Sequence, residues 1–152
     1  MLTKTHLAIS ILAILIFINA VENKIIFVIA VLVATLMPDI DSKFSGVGRR
    51  LIFRPLQFFV RHRGIFHSFT LLFLITLVLV FFVPILAFGF FLGYSLHIFA
   101  DSFTMNGIRI FYPVGKSVSG KIRTGGKIET GIFVLFVLAD LFMLFWRVKG
   151  FF

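Results

Sequence analysis

Between Gly64 and Ala100 the chain runs for 37 residues without a single Asp, Glu, Lys or Arg. As one helix at ~1.5 Å per residue it would measure about 55 Å, far beyond a hydrocarbon core of ~30 Å. The stretch therefore has to double back. Pro84 and Gly89 act as helix punctuators, so the turn is expected between Val83 and Gly89. Comparable apolar stretches run from Thr5 to Val21, from Ile25 to Pro38 and from Thr130 to Trp146, which makes five expected crossings. The second is short for a span. With 60% hydrophobic residues and 23 Phe among 152, a soluble domain could not hide its apolar surface. The fold expected is all-α, a single integral membrane domain over residues 1–152. Lys4 and the apolar stretch behind it superficially suit a secretory signal. No small-residue cleavage site follows and a second apolar segment begins at Ile25, so the first is read as retained.

Charge placement tests this topology. Of 15 Lys and Arg, one (Lys4) precedes the first span, six lie between Ser42 and Gly64, and five between Ser102 and Thr130. Five crossings put these three segments on one side, which then carries 12 of the 15 and is cytoplasmic by the positive-inside rule. A single span from Gly64 to Ala100 would reduce the best split to 9 against 6. The net charge of +9 is thereby explained as topology, and no nucleic-acid partner is expected.

The same topology gathers the polar residues that are most costly near hydrocarbon. His6, Asp39, Asp41, His62, His67, His97 and Asp101 all sit at segment edges on the expected cytoplasmic side. Imidazoles and carboxylates concentrated there point to a shared cation site. His97 and Asp101 are four apart and share one helix face; the competing reading is a capping Asp beside an interhelical His. Asp39 and Asp41 follow the helix-ending Pro38 and can bind one metal or split between two, or else form a solvated turn. Gly64 lets His67 begin the third span while His62, between Arg61 and Arg63, hangs from a loop, as an anion contact, a general acid or an exposed interfacial residue. His6 gains weight only by converging with the others. The chain has no Cys, so ligands are limited to nitrogen and oxygen donors. Glu129 is a ligand, a base or an ordinary acidic helix start. Asp140 is expected in the outer half, in an interhelical hydrogen bond or facing an outer-surface partner.

Two basic segments frame this cluster. From Lys43 to Arg63 cations interleave with Leu51, Ile52, Phe53, Leu56, Phe58 and Phe59, as in a surface-lying stretch attracted to anionic headgroups. From Arg109 to Lys127 the chain is basic and punctuated by glycine, a loop able to bring Arg123 and backbone amides to a phosphate. Lipid adhesion and topology alone would also account for both.

Taken in order, Met-Pro-Asp-Ile-Asp at 37–41, His-Arg-Gly-x-x-His-Ser at 62–68, Gly-Tyr-x-x-His-x-x-x-Asp at 93–101, Gly107 with Tyr112-Pro113, and Arg-x-Gly with Glu129 resemble the YdjM-type membrane-bound metal-dependent hydrolases. The resemblance covers nearly the whole chain. Phe66 departs from the small polar residue common before the second His, a change that spares the metal but alters the pocket. The resemblance implies kinship with zinc-dependent phospholipase C enzymes, a helical fold and phosphoester hydrolysis.

The function expected is hydrolysis of phospholipid phosphoesters at the cytoplasmic leaflet of the cell membrane by a metal-activated water. Mixed His and carboxylate ligation suits zinc best, with manganese or iron as alternatives. Asp39, His67, His97 and Asp101 are the principal expected ligands, with His6 and Asp41 next. His62 or Glu129 would protonate the leaving group, and Arg63 or Arg123 would stabilise charge on the phosphoryl group. Anionic phospholipid is the expected partner. The rival readings are a metal-binding membrane scaffold and a cation transporter; a transporter should carry polar groups through its spans, and here only Asp140 lies far from the cluster.

Overall fold

The computed structural model describes residues 1–42, 45, 48–59 and 63–150, and over these it is all-α. Helices α1 (Thr3–Phe17), α2 (Lys24–Leu36), α4 (Phe69–Phe82), α5 (Pro84–Ser102) and α6 (Lys127–Val148) form the bundle, while the short α3 (Arg54–Phe59) belongs to the connection before α4. The segments reaching from α1 to Ala20, and α5 and α6, are long and apolar enough to cross a membrane. At 13 and 14 residues, α2 and α4 measure about 20 Å each, shorter than the ~30 Å core.

The Gly64–Ala100 stretch does double back, and it does so within one residue. Val83 alone separates α4 from α5, and Pro84 opens α5, where its missing N–H costs no hydrogen bond. Gly89 is not part of the turn. It lies inside α5, where a Cβ would stand 2.8 Å from the Ala30 Cβ, and a Cβ on Gly93 would overlap the Val31 carbonyl oxygen. Gly89 and Gly93, four apart, let α5 lie backbone to backbone on α2, the close approach that small residues at this spacing permit in membrane helices. Among the described residues no other helix pair is in such extensive contact.

The two helices run parallel: Phe27 meets Gly89, Val31 meets Gly93, and Thr35 reaches His97 one turn on. α1 is antiparallel to both, with the Ser10 and Thr35 hydroxyls 2.7 Å apart and the Phe17 ring edge-on to Phe88. α6 follows α1, tied at one end by Glu129 and at the other by Arg147, which donates to Asn19 Oδ1 at 2.9 Å. The beginnings of α1, α4 and α6 and the ends of α2 and α5 consequently share one end of the bundle. The core there and below is Ala34, Leu72, Phe90, Tyr94, Ile98 and Ile108. The outer faces of α2, α4 and α6 expose large apolar side chains such as Ile29, Phe81 and Phe142, a surface made for lipid and not for water.

Both basic connections lie at the crowded end. In the first, Leu51, Ile52 and Phe58 are exposed, and the Gln57 amide nitrogen fastens α3 by donating to Ile40 O and Gly48 O. The second folds back on itself through isolated bridges, Thr104 with Ile122 and Ile108 with Val118.

Candidate metal centre

Three histidines and two carboxylates from four segments converge at the crowded end. His6 comes from the first turns of α1, Asp39 from a 3₁₀ turn (Pro38–Asp41) after α2, and His67 from a 3₁₀ turn (Ile65–His67) before α4. His97 and Asp101 lie one turn apart near the end of α5. All five are buried.

The His97 ring shows how the cluster is oriented. Its Nδ1 stands 2.7 Å from the Thr35 carbonyl oxygen. A carbonyl only accepts, so Nδ1 carries the hydrogen and Nε2 keeps its lone pair. That Nε2 is buried without a hydrogen-bond partner among the described residues, 3.9 Å from Asp39 Oδ1. Fixing one ring nitrogen on a carbonyl while the other faces a carboxylate is the outer-shell pattern of metal-binding histidines. The His6 ring stacks on that of His97, centroids 3.9 Å apart and planes within 11°, and directs Nε2 to 3.3 Å from Asp101 Oδ1. His67 Nε2 lies 3.7 Å from Asp101 Oδ2.

Donor atoms of His6, His97 and Asp101, and separately of Asp39, His67 and His97, all come within 4.8 Å of one another. Metal–nitrogen bonds of ~2.0–2.1 Å keep any two ligands within about 4.2 Å, so small side-chain movements would close either trio on an ion. His97 is common to both. The donor set fits a divalent metal, in one position or two adjacent ones. It does not identify the metal.

Asp41 belongs to neither trio. It stands behind His67, with Oδ2 3.4 Å from Nδ1 and accepting the Arg63 backbone N–H at 3.0 Å. It orients a ligand in the manner of a carboxylate–histidine pair. Arg63 reaches that position with φ 59°, a left-handed conformation unusual for a residue with a Cβ. Its guanidinium then spans the site: Nη2 is 3.2 Å from Asp101 Oδ2, and Nη1 donates to Thr104 Oγ1 at 3.2 Å and Gly107 O at 2.9 Å. Gly107 itself has φ 61°. Asp101 Oδ1 also meets the Met1 amino group. Burial raises the Asp39 carboxyl above its ordinary value, and the neighbouring His6 and His67 oppose that shift.

On the Arg63 side lies a cavity of about 280 Å³ lined by Gly64, Asn106, Arg109, Tyr112 and Ser117 as well as Arg63. Arg123 is not among them. It lines a different hollow with Lys121, Thr124 and Lys127. The α6 N-terminus there already holds an anion, since Glu129 Oε2 accepts the Gly125 N–H at 2.6 Å. Glu129 Oε1 accepts Leu2 N–H at 2.5 Å and Thr5 Oγ1 at 3.0 Å. These bonds make it a clasp between α1, α6 and the preceding loop. His62 lies outside the described residues. Asp140 is half-buried in α6, and its Oδ1 finds no hydrogen-bond partner among the described residues, which leaves, of the two expected roles, the outer-surface partner.

The ligand-bearing segments run from His6 to Asp101, and the sequence matches the family described as YdjM inner membrane protein over residues 1–151. The chain belongs to the YdjM inner membrane protein family. No curated protein and no solved structure matches it. Family membership agrees with the apolar exterior of the bundle in making this a membrane protein.

Two parts of this YdjM site were not anticipated from the residues alone. The Thr35 carbonyl is invisible in a side-chain inventory, although the small-residue spacing Gly89-x-x-x-Gly93 opposite Ala30 and Ala34 signals that two backbones meet. Arg63 was expected to meet substrate; its bonds to Asp101, Thr104 and Gly107 make it first a brace for the ligand cluster.

Proposed function

We propose that this protein is a membrane-embedded, metal-dependent hydrolase that cleaves phosphoester bonds of anionic phospholipids, with its N-terminus and site at the cytoplasmic face. The observation carrying the reading is the His97 ring, anchored through Nδ1, with a buried Nε2 that has no hydrogen-bond partner among the described residues and sits among His6, His67, Asp39 and Asp101. The cytoplasmic orientation is supported by the basic connections, both of which lie at the site end.

A divalent cation, zinc for preference, would supply polarisation of a phosphoryl oxygen and acidification of a water molecule. The protein's own groups do the rest. Asp41 and the Thr35 carbonyl hold His67 and His97 at fixed angles, and Arg63 keeps Asp101 from swinging away. Arg63 and Arg109, in the same cavity, offer cationic contacts to a phosphate entering beside the cluster. Arg123 and Lys121 suit attraction of anionic headgroups to the surface. Proton delivery to the leaving group falls to His62, since the carboxylate of Glu129 is held by three donors.

The test combines metal content with turnover. Purified protein reloaded with zinc, manganese or iron should release phosphorylated headgroup or free phosphate from anionic lipid in mixed micelles. His97→Ala should lose metal and activity together; Arg109→Ala should keep the metal and slow turnover. Metal-loaded, folded protein inert toward phosphodiester and phosphomonoester lipids would sink the hydrolase reading in favour of a metal-binding scaffold.

A further inference from the structure

α5 and α6 both pack against α1 but hardly touch each other, and the wedge between them is a groove of about 570 Å³. Met1, Ile9, Ala13, Leu96, Ala100 and Leu135 are among its lining residues, and every other one is apolar as well. The lining runs along α5 from Leu92 to Ala100 and along the first segment from Met1 to Phe17, whose helical part, Thr3–Phe17, alone measures about 21 Å at ~1.5 Å per residue. That is more than one leaflet's depth, which is half of a ~30 Å hydrocarbon core.

The groove ends at the metal cluster. Met1 and Ala100 line it, and the Met1 amino group meets Asp101 Oδ1. Asp101 Oδ2 faces the other way, toward Arg63, which lines the basic cavity. One carboxylate thus stands between an apolar slot and a cationic hollow. A molecule touching both would place its phosphate beside the ligands, its polar head against Arg63 and Arg109, and a hydrocarbon tail along α1 and α5.

From this arrangement we propose that the α1–α5–α6 groove is the acyl-chain site of a phospholipid substrate, resting on the hydrolase reading above. One extended hydrocarbon chain matches the elongated shape, the wholly apolar lining and the end of the groove at Met1 and Ala100, beside the metal cluster. The occupant is therefore selected lipid, held by packing against the walls, and not the interchangeable lipid that coats the outer faces.

The test uses full-length protein in vesicles of phosphatidylcholine and phosphatidylglycerol, with a phosphatidylglycerol probe bearing a photoreactive diazirine near the end of one chain. Cross-links should concentrate on Leu96 and Leu135 relative to the outward-facing Leu77 and Leu141, and natural phosphatidylglycerol should compete them away. Ala13→Phe should lower labelling of the groove about tenfold or more, the penalty of overfilling a packed space, and leave Leu77 unchanged. Leu135→Trp, at an exposed position, narrows the same groove without burdening the core and serves if Ala13→Phe does not fold. Equal labelling of groove and outer faces, or groove labelling indifferent to a folded variant, overturns the proposal. Selective labelling with no hydrolysis would leave the groove standing as a lipid site and defeat only the hydrolase reading. Hydrolysis with uniform labelling would do the reverse.

Discussion

Replacing Gly93 by alanine tests the link from helix packing to the metal site. The added Cβ would overlap the Val31 carbonyl oxygen and stand 3.0 Å from Thr35 Oγ1. Backbone cannot yield as a flexible side chain does, so α2 and α5 must separate. His97 lies one turn beyond Gly93, and Thr35 one turn beyond Val31. A separation of about 1 Å would stretch the 2.7 Å bond between His97 Nδ1 and Thr35 O past the ~3.5 Å limit of a hydrogen bond. Overpacking costs about 1–3 kcal/mol and a lost hydrogen bond about 1 kcal/mol more, so the variant should be roughly 2–4 kcal/mol less stable. Loss of an outer-shell partner should weaken metal binding about 10–100-fold. The assay is denaturant unfolding in micelles paired with metal competition against a chelator. Gly131→Ala is the control: a Cβ there meets nothing within 4 Å, so this helix-interior change should gain about 0.5–1 kcal/mol and leave the metal alone. If Gly93→Ala binds metal as tightly as the parent, the claim that α2 positions His97 is wrong.

Other expectations follow from the same geometry. Asp101→Ala should cut metal occupancy about tenfold or more, whereas Asp140→Ala leaves it intact; equal metal content by elemental analysis would remove Asp101 from the ligand set. The folded-state pKa of Asp39 is raised by burial, so its ionised form costs stability that appears as pH rises through that pKa. Metal-free Asp39→Asn should therefore unfold at higher denaturant than the parent at neutral pH, lose that advantage below pH ~4, and bind metal less well; an advantage that persists in acid would contradict the sign. Because the chain has no native Cys, single cysteines at Ser45 and Ser119 should label only from the cytoplasmic side and one at Asn23 only from outside. Labelling of the two large connections from opposite sides would refute the five-crossing arrangement.

The sequence reading succeeded where one physical constraint acted along one segment. The impossible length of Gly64–Ala100 required a hairpin, and four-residue spacing placed His97 and Asp101 on one face. Charge counting put His6, Asp39, His67 and Asp101 at one end before any helix was packed. It failed over Gly89, because glycine breaks helices in water but admits close neighbours in a packed apolar bundle. The second role was readable from Gly93 four residues on and from Ala30 and Ala34 at matching spacing. Asp41 behind His67, Arg63 on Asp101 and the clasp made by Glu129 depend on distances between remote segments, which no local pattern encodes. Arg123 was placed by its charge, its glycine-rich loop and the Arg-x-Gly pattern, none of which says which of two hollows a loop residue will line.

Every residue of the two donor trios has been synthesised by Asp101, and the partners that brace Arg63 follow at Thr104 and Gly107. α6 begins only at Lys127 and contributes no ligand, yet it forms one wall of the groove. At ~5–20 residues per second the last helix trails the others by seconds. During that interval the nascent chain presents a nearly complete cation site beside an unwalled slot facing lipid. On the proposed function, metal capture and enclosure of a hydrocarbon tail are separable stages of biogenesis: a chain ending at Gly126 would keep every residue of the two donor trios and lack the α6 wall.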